Sequence, residues 1–228
     1  MWLKKPNTTD DECRQVCAQI EKQLDLPISF EGRYKWIVFL NSRINPKVPV
    51  LNRYYGVLEN GALKVRGIDL RRHDTPEVVR KCQTDMLNVL SKARNSSEFM
   101  TMVPQTLGIM KSYVTMLRAG KVPVEELVIE KRLSKMPDEY ANLVPQAIAA
   151  RHLVREGVNV HAGQNINFLL TRRKSRISQN RALPFELTQR NTQYDSEAYV
   201  QLLLSSTLNL ILPFGYNLKT LSNNVTIA

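Results

Sequence analysis

The spacing of hydrophobic residues changes near residue 74. Before that point a helical stripe follows the capping residues at 7–10, where Thr9 and Glu12 suit a capping box. Runs rich in aromatic and β-branched residues then predict strands. Beyond residue 74, apolar residues mostly recur at helical spacing, starting at Thr75-Pro76, which suits a capping threonine followed by proline.

These patterns define a set of elements. The first predicted helix presents an apolar face formed by Cys13, Val16, Cys17, Ile20 and Leu24. Strands are predicted over 28–33, 34–40, 54–58, 62–68 and 166–171. Later helices are predicted over 97–118, 137–155 and 196–212, besides the one that starts at Thr75. The chain is therefore expected to be α+β, with an antiparallel sheet and one helix over residues 1–74, followed by a mainly helical domain with a small β element over residues 75–228.

Residues 52–74 contain the clearest local pattern in the chain, which predicts a β-hairpin. Asn60-Gly61 is the preferred pair for a two-residue hairpin turn between the strands at 54–58 and 62–68. Lys64 and Arg66 are two residues apart and therefore lie on one face of the second strand. A basic hairpin with interleaved tyrosine suits a nucleic-acid backbone, and it equally suits a solvated, charged sheet face.

The charge balance favours a polyanionic partner. The 228 residues include 32 basic and 21 acidic side chains, which gives a net charge of +11. No apolar run approaches the ~20 residues that span a bilayer, and the N-terminus has no apolar leader, so no membrane contact and a cytoplasmic location are expected. The three cysteines lack the spacing of a metal site and are expected to be reduced.

No free-standing catalytic constellation is visible in the chain. The three histidines are scattered, no Gly-x-Ser-x-Gly elbow occurs, and the nine glycines form no phosphate-binding loop. The acidic run at 10–12 lies where a helix N-terminus favours carboxylates. We therefore assign no catalytic residue and no metal ligand to this chain.

Ordered motifs along almost the whole chain resemble family B DNA polymerases. Arg53-Tyr54, Lys64-Val65-Arg66-Gly67 and Arg72-His73-Asp74 are similar, in order, to that family's elements at the end of the palm and the entry to the thumb. Matches to the archaeal thumb follow at Leu127-Val128-Ile129, Leu133-Ser134-Lys135, Glu139-Tyr140, Gly157-Val158, Gly163, Asn180-Arg181-Ala182, Tyr194-Asp195 and Phe214-Gly215-Tyr216. Met1-Trp2-Leu3-Lys4 resembles the strand after the family's metal-binding hairpin, whose aspartates are absent here.

The resemblance implies the C-terminal piece of a split archaeal family B DNA polymerase. Residues 1–74 would complete the palm, and residues 75–228 would form the thumb that grips primer-template DNA during synthesis. A large subunit would supply the exonuclease, the fingers and the catalytic palm, so the isolated small chain would be inactive. Met1, Trp2 and Leu3 would contact that partner. No cofactor is expected in this chain, and Mg²⁺ would bind through the partner's aspartates.

The resemblance also implies a set of DNA contacts that position the duplex without reading its sequence. They are Arg53, Tyr54, Lys64, Arg66, Gly67, Arg72, Arg132, Ser134, Lys135, Tyr140, Arg172, Arg173, Lys174, Arg176, Asn180 and Arg181.

Two departures from the family pattern leave alternatives open. The family has lysines where this chain has Leu51 and Asn52, and the tail from Leu218 to Ala228 lacks the sliding-clamp signature, so clamp binding by this tail is not expected. One alternative is a catalytically weak polymerase remnant that serves as a DNA-binding accessory factor. The other is an unrelated basic RNA-binding protein. The sequence also fits an excised fragment of a longer polymerase.

Overall fold

The computed structural model describes residues 7–42, 45 and 48–226, and side chains as far as residue 223. Within this part, the α-helices are α1 (Asp10–Leu24), α2 (Glu77–Leu90), α3 (Ser96–Arg118), α4 (Pro145–Arg155), α5 (Ser196–Ile211) and α6 (Leu218–Thr226). The strands are β1 (Tyr34–Asn41), β2 (Pro49–Leu58), β3 (Leu63–Arg66), β4 (Ile129–Arg132), β5 (Asn165–Leu170) and β6 (Ala182–Pro184). The fold is α+β, as predicted.

The helix α1 begins where the capping residues predict. Thr9 accepts a hydrogen bond from the backbone N–H of Glu12, and the Glu12 carboxylate accepts one from the backbone N–H of Thr9. No residue of α1 is fully buried, so the predicted apolar face of this helix is only partly covered in the described structure.

The first sheet has the strand order β1-β2-β3, all antiparallel. Its hairpin turn differs from the prediction, because Gly61 has a positive φ of 86° and Asn60 does not. The backbone N–H of Gly61 donates to Leu58 O at 2.8 Å, and Leu58 N donates to Ala62 O at 3.0 Å, which closes a three-residue turn instead of a two-residue one. The Asn60 side chain accepts from Ala62 N and so stabilises this longer turn.

One face of the first sheet packs on the helices. Trp36 and Tyr55 are buried with Phe99 of α3 in an aromatic cluster. Trp36 Nε1 donates to Ala93 O at 2.9 Å, and the Tyr55 hydroxyl donates to Leu210 O of α5 at 2.9 Å. The hydrophobic core is continuous from this sheet through α2, α3 and α5, and the boundary between residues 74 and 75 stays a prediction.

The second sheet has the order β4-β5-β6 and is also antiparallel. The buried Tyr199 of α5 joins it to the helices, because its hydroxyl donates to Leu127 O at 2.8 Å and accepts from Leu170 N at 2.9 Å. No helix in the described part of the chain is long and apolar enough to cross a membrane.

Several predicted elements are wrong in detail. Residues 28–33 form no strand, and β2 starts earlier than predicted, at Pro49. The helix expected from residue 137 is a short 3₁₀ turn at Pro137–Glu139, and α4 begins only at Pro145, because a proline without an N–H suits the first helical position. The N-cap of α2 is Pro76 instead of Thr75. The strands β4 and β6 and the helix α6 were not predicted.

Candidate nucleic-acid interface

An open cleft lies where the exit of the first sheet meets the second sheet. After β3 the chain makes a 3₁₀ turn at Asp69–Arg71 and then enters α2, while β4 and β5 form the opposite wall. The cleft is lined by Arg71, Arg72, His73, Asp74, Glu130, Lys131, Arg132 and Asn165. The predicted residues Arg72 and Arg132, which are distant in sequence, therefore line one cavity.

Asp74 organises the cations of this cleft. Arg72 donates to its carboxylate from Nε at 2.9 Å and from Nη2 at 2.8 Å, and Lys131 Nζ lies 4.0 Å from Oδ2. The hydrogen bonds from Arg72 lower the pKa of Asp74, although desolvation opposes the effect. Asp74 therefore stays ionised and holds two cations at the wall of the cleft.

The backbone around Arg72 is held as well. Arg80 Nη2 donates to Arg72 O at 3.1 Å and to His73 O at 3.0 Å. On the opposite wall, a Cβ added at Gly163 would lie 3.3 Å from Nη2 of Arg132, so the guanidinium rests against this glycine. Arg72 and Arg132 are thus presented from supported positions on both sides of the cleft.

A tyrosine-centred cluster follows directly after β4. The backbone N–H of Ser134 donates to the Tyr140 hydroxyl at 2.8 Å, the Ser134 hydroxyl lies 3.1 Å from it, and Lys135 Nζ lies 5.3 Å from the ring centroid. Desolvation raises the pKa of Tyr140, but the hydrogen bonds from Ser134 and the charge of Lys135 outweigh it, so the pKa is lowered. Tyr140 holds Ser134 and Lys135 together at the surface.

The basic loop, defined as residues 171–181 between β5 and β6, is held in place by hydrogen bonds. Arg172 N donates to Asn180 O at 3.0 Å, Arg181 Nε donates to Ser175 O at 2.8 Å, and Arg173 N donates to Asp195 Oδ2 at 2.8 Å. The exposed side chains of Arg172, Arg173, Lys174 and Arg176 form no ion pair or hydrogen bond within the described residues. Four cations are therefore available for an anionic ligand.

The outer face of the first sheet combines aromatic and basic residues. Tyr54 is the cross-strand partner of Phe39 on one side and of Arg66 on the other, so the three side chains share one face. Lys64 lies on the same face and pairs with Glu31 at 2.9 Å. The interleaving predicted for the hairpin is therefore present, although Tyr54 itself is buried.

Arg53 and Gly67 make contacts that hold the strands of the first sheet together. Arg53 donates from Nη1 to Asn41 O at 2.7 Å and from Nε to Gly67 O at 3.2 Å. Gly67 has a φ of 65°, and a Cβ there would lie 2.5 Å from Asn52 O and 2.7 Å from Arg53 Cγ. These contacts give both residues a structural role, and their contact with DNA stays a prediction.

The cations beside the second sheet form a band, from Arg72, Lys131 and Arg132 in the cleft to the basic loop. Arg132 pairs with Asn165 at the start of β5, whereas the basic loop follows the end of β5 at Leu170. Five strand residues separate these points by about 17 Å, or about half a turn of B-form DNA. Arg71 and Lys131 also line the cleft, although they were not among the predicted contacts. Their positions beside Arg72 and Arg132 in basic runs were the signal available for finding them.

Two other predictions concern parts of the site outside this band. The predicted partner contacts Met1, Trp2 and Leu3 lie outside the described residues. Among the described residues, no group of three or more His, Cys, Asp or Glu side chains could hold a metal ion.

Comparison with known proteins identifies the family. The model of DNA polymerase family B matches residues 28–214, which is most of the chain. The chain belongs to DNA polymerase family B. A DNA polymerase of Thermococcus aggregans is 25% identical over 221 residues, covering 96% of this chain and 11% of that protein. A DNA polymerase of Archaeoglobus fulgidus is 22% identical over 240 residues, covering 98% of this chain and 29% of that protein.

The solved structures agree with the family assignment. The family B DNA polymerase of the hyperthermophilic archaeon Pyrobaculum calidifontis matches with a TM-score of 0.62 and 21% identity, over 89% of this chain and 25% of that chain. This likeness shows the shared fold. The chain thus corresponds to one part of an archaeal family B polymerase and spans between 11% and 29% of the length of these relatives.

Proposed function

We propose that this chain is the small subunit of a split family B DNA polymerase, completing the palm and supplying the thumb that grips primer-template duplex. The proposal places the exonuclease, the fingers and the catalytic aspartates with their Mg²⁺ in a separate large chain, and the complex in the cytoplasm. Membership of DNA polymerase family B supports the role in DNA synthesis.

The observation that supports the grip best is the band of cations along the second sheet. The cleft presents Arg72, Lys131 and Arg132 near one end of β5, and the basic loop presents four exposed cations beyond its other end; the two ends of the strand are about 17 Å apart. Duplex DNA carries one negative charge per about 1.7 Å of axis, so such a band faces several phosphates at once. Contacts of this kind hold a duplex of any sequence, which a polymerase requires.

Primer extension tests the proposed division of labour. The purified small chain alone should incorporate no nucleotide, and the mixture with the large chain should extend a primer further per binding event than the large chain alone. Robust extension by the small chain alone would contradict the proposal. If the large chain is equally processive with and without the small chain, the role assigned to the thumb is contradicted.

DNA binding tests the band directly. Fluorescence anisotropy with labelled primer-template duplex should show that log K falls against log salt with a slope of about −5, if about six phosphates are neutralised. A slope near zero would contradict phosphate contacts. Competition with structured RNA tests the RNA-binding alternative. Under that alternative, unlabelled RNA should displace the labelled DNA at a lower concentration than unlabelled DNA does.

A further inference from the structure

The helix α1 has an apolar face that is only partly buried in the described structure, where Cys13, Cys17 and Ile20 are half-buried. The face is formed by Cys13, Val16, Cys17, Ile20 and Leu24, which recur at helical spacing. Val16 is 37% exposed and Leu24 is 61% exposed, and Leu26, just beyond the helix, is 56% exposed. The opposite side of the helix contains polar and small residues, among them Gln15, Ala18 and Lys22.

This helix needs a packing surface. It has 15 residues, and isolated helices of this length are marginal in water even with good capping. Its capping box and the ion pair between Asp10 and Arg33, at 2.6 Å, determine where it starts and how it is tethered. Exposed ion pairs of this kind contribute little stability. The apolar face is therefore built for burial that the described residues provide only in part.

The comparison with a longer relative suggests one occupant for the face. The match to the Archaeoglobus fulgidus polymerase covers 98% of this chain, so it leaves about five residues unmatched and must include most of α1. In that relative the matched segment belongs to a protein of which it forms 29%. The counterpart of α1 thus lies inside a much longer polymerase, where further polymerase surface is available to cover it.

We propose that the α1 apolar face is the docking surface for the large polymerase chain. This inference rests on the proposed function, and it adds residues of α1 to the predicted contacts at Met1, Trp2 and Leu3. The partner surface should be apolar and should receive Val16, Ile20 and Leu24 as neighbouring knobs on one helix face. The band of cations lies on the second sheet and the hairpin exit, so docking through α1 uses different residues.

The test uses glutamine substitutions that retain the helix and make its apolar face more polar. Glutamine has nearly the helix propensity of leucine and a better one than valine, so Val16→Gln and Leu24→Gln should leave the helix content and the melting temperature of the isolated chain unchanged. Ala18→Gln places the same side chain on the opposite side of α1 and serves as the control. The large chain from the same genome, purified separately, is titrated with each labelled variant.

We expect Val16→Gln and Leu24→Gln each to weaken binding of the large chain at least tenfold, and Ala18→Gln to leave it within twofold of the wild type. Hydrogen exchange should show protection of the α1 amides when the large chain is added. Binding that is unchanged in both face variants would overturn this inference while leaving the proposed function intact. A pair that binds through α1 but extends no primer would overturn the proposed function while leaving the interface intact.

A second copy of this chain is the alternative occupant of the face. Analytical ultracentrifugation of the wild-type chain alone distinguishes it, because our inference expects a monomer with or without the glutamine substitutions. A dimer that Leu24→Gln dissociates would assign the face to a second copy and overturn the inference. Absence of any binding between the wild-type chains would overturn both the interface and the split polymerase.

Discussion

Replacing Gly67 by alanine tests whether the hairpin is held rigidly against the strand that precedes it. Gly67 has a φ of 65°, and the added Cβ would lie 2.5 Å from the backbone oxygen of Asn52 and 2.7 Å from Cγ of Arg53. The first contact is with backbone, which a side-chain rotation cannot relieve. Arg53 cannot move freely either, because it donates to Asn41 O and Gly67 O.

Two costs add in this variant. Alanine in the left-handed region costs about 1 kcal/mol, and forcing an extra methyl into a closed contact costs about 2 kcal/mol, so the free energy of unfolding should fall by about 3 kcal/mol. For a chain of this size that corresponds to a melting temperature lower by about 6–12 °C.

Gly61 provides a matched control in the same hairpin. Its φ is 86°, and a Cβ there would meet no atom within 4 Å, so Gly61→Ala should cost only the backbone term of about 1 kcal/mol. Guanidinium denaturation of both variants measures the difference, which should be about 2 kcal/mol. Equal destabilisation of the two variants would refute the close contact at Gly67.

Three further changes probe the cleft, the loop and the missing lysines. Because the folded-state pKa of Asp74 is lowered, its ion pair with Arg72 contributes stability above pH ~4 that is lost as the pH falls through the folded-state pKa. Asp74→Asn should therefore make the free energy of unfolding depend less on pH on the acid side. The same pH dependence in the variant and the wild type would contradict this. Arg176→Gln should reduce the magnitude of the DNA-binding salt slope by about 0.9, since its exposed cation has no partner among the described residues. Arg94→Gln, which breaks an ion pair with Glu98, should not make the slope shallower. Equal reductions in both variants would argue against a specific role of the loop. Asn52→Lys should tighten duplex binding and steepen the slope by about 0.9, because residue 52 is exposed at the position where the family has lysine; unchanged binding would show that DNA does not reach this strand.

The sequence predicted the elements whose signals are local. The capping box at Thr9 and the strand at β1 follow from residues that are neighbours in the chain, and both are present. The short strand β4 was missed because four residues give too little alternation to detect. The turn at Asn60-Gly61 was misjudged because the preferred pair also fits a three-residue turn, in which only the glycine needs positive φ.

Two of the residues that line the cleft, Arg72 and Arg132, were predicted from the sequence, but the cleft itself was not. Local basic runs and the family resemblance pointed to Arg72, Arg132 and the loop, since charge and motif are visible in the sequence. The cleft itself requires residues 71–74 and 129–132 to meet, which depends on long-range packing through the helices. The helical periodicity likewise predicted an apolar face on α1, but periodicity does not show whether the rest of the chain covers that face.

The helix α5 fixes the spacing of the cations. At its N-terminus Asp195 accepts from Arg173 N of the basic loop, and Tyr199 bonds to both Leu127 and Leu170 beside the second sheet. Toward its C-terminus Asn209 donates to Asp69 Oδ2 at 2.8 Å, and Leu210 O accepts from Tyr55 of the first sheet.

The buried Gln83 completes this attachment of the hairpin exit. Its Oε1 accepts from Leu70 N at 2.7 Å and its Nε2 donates to Ser206 O of α5 at 3.0 Å, so the segment that leads to Arg72 is bonded to the same helix as the basic loop. A helix of 16 residues is about 24 Å long, and it therefore holds the two ends of the band at a constant separation. These bonds hold the backbone that carries the cations, so binding of a duplex would have to order only the exposed side chains of the loop.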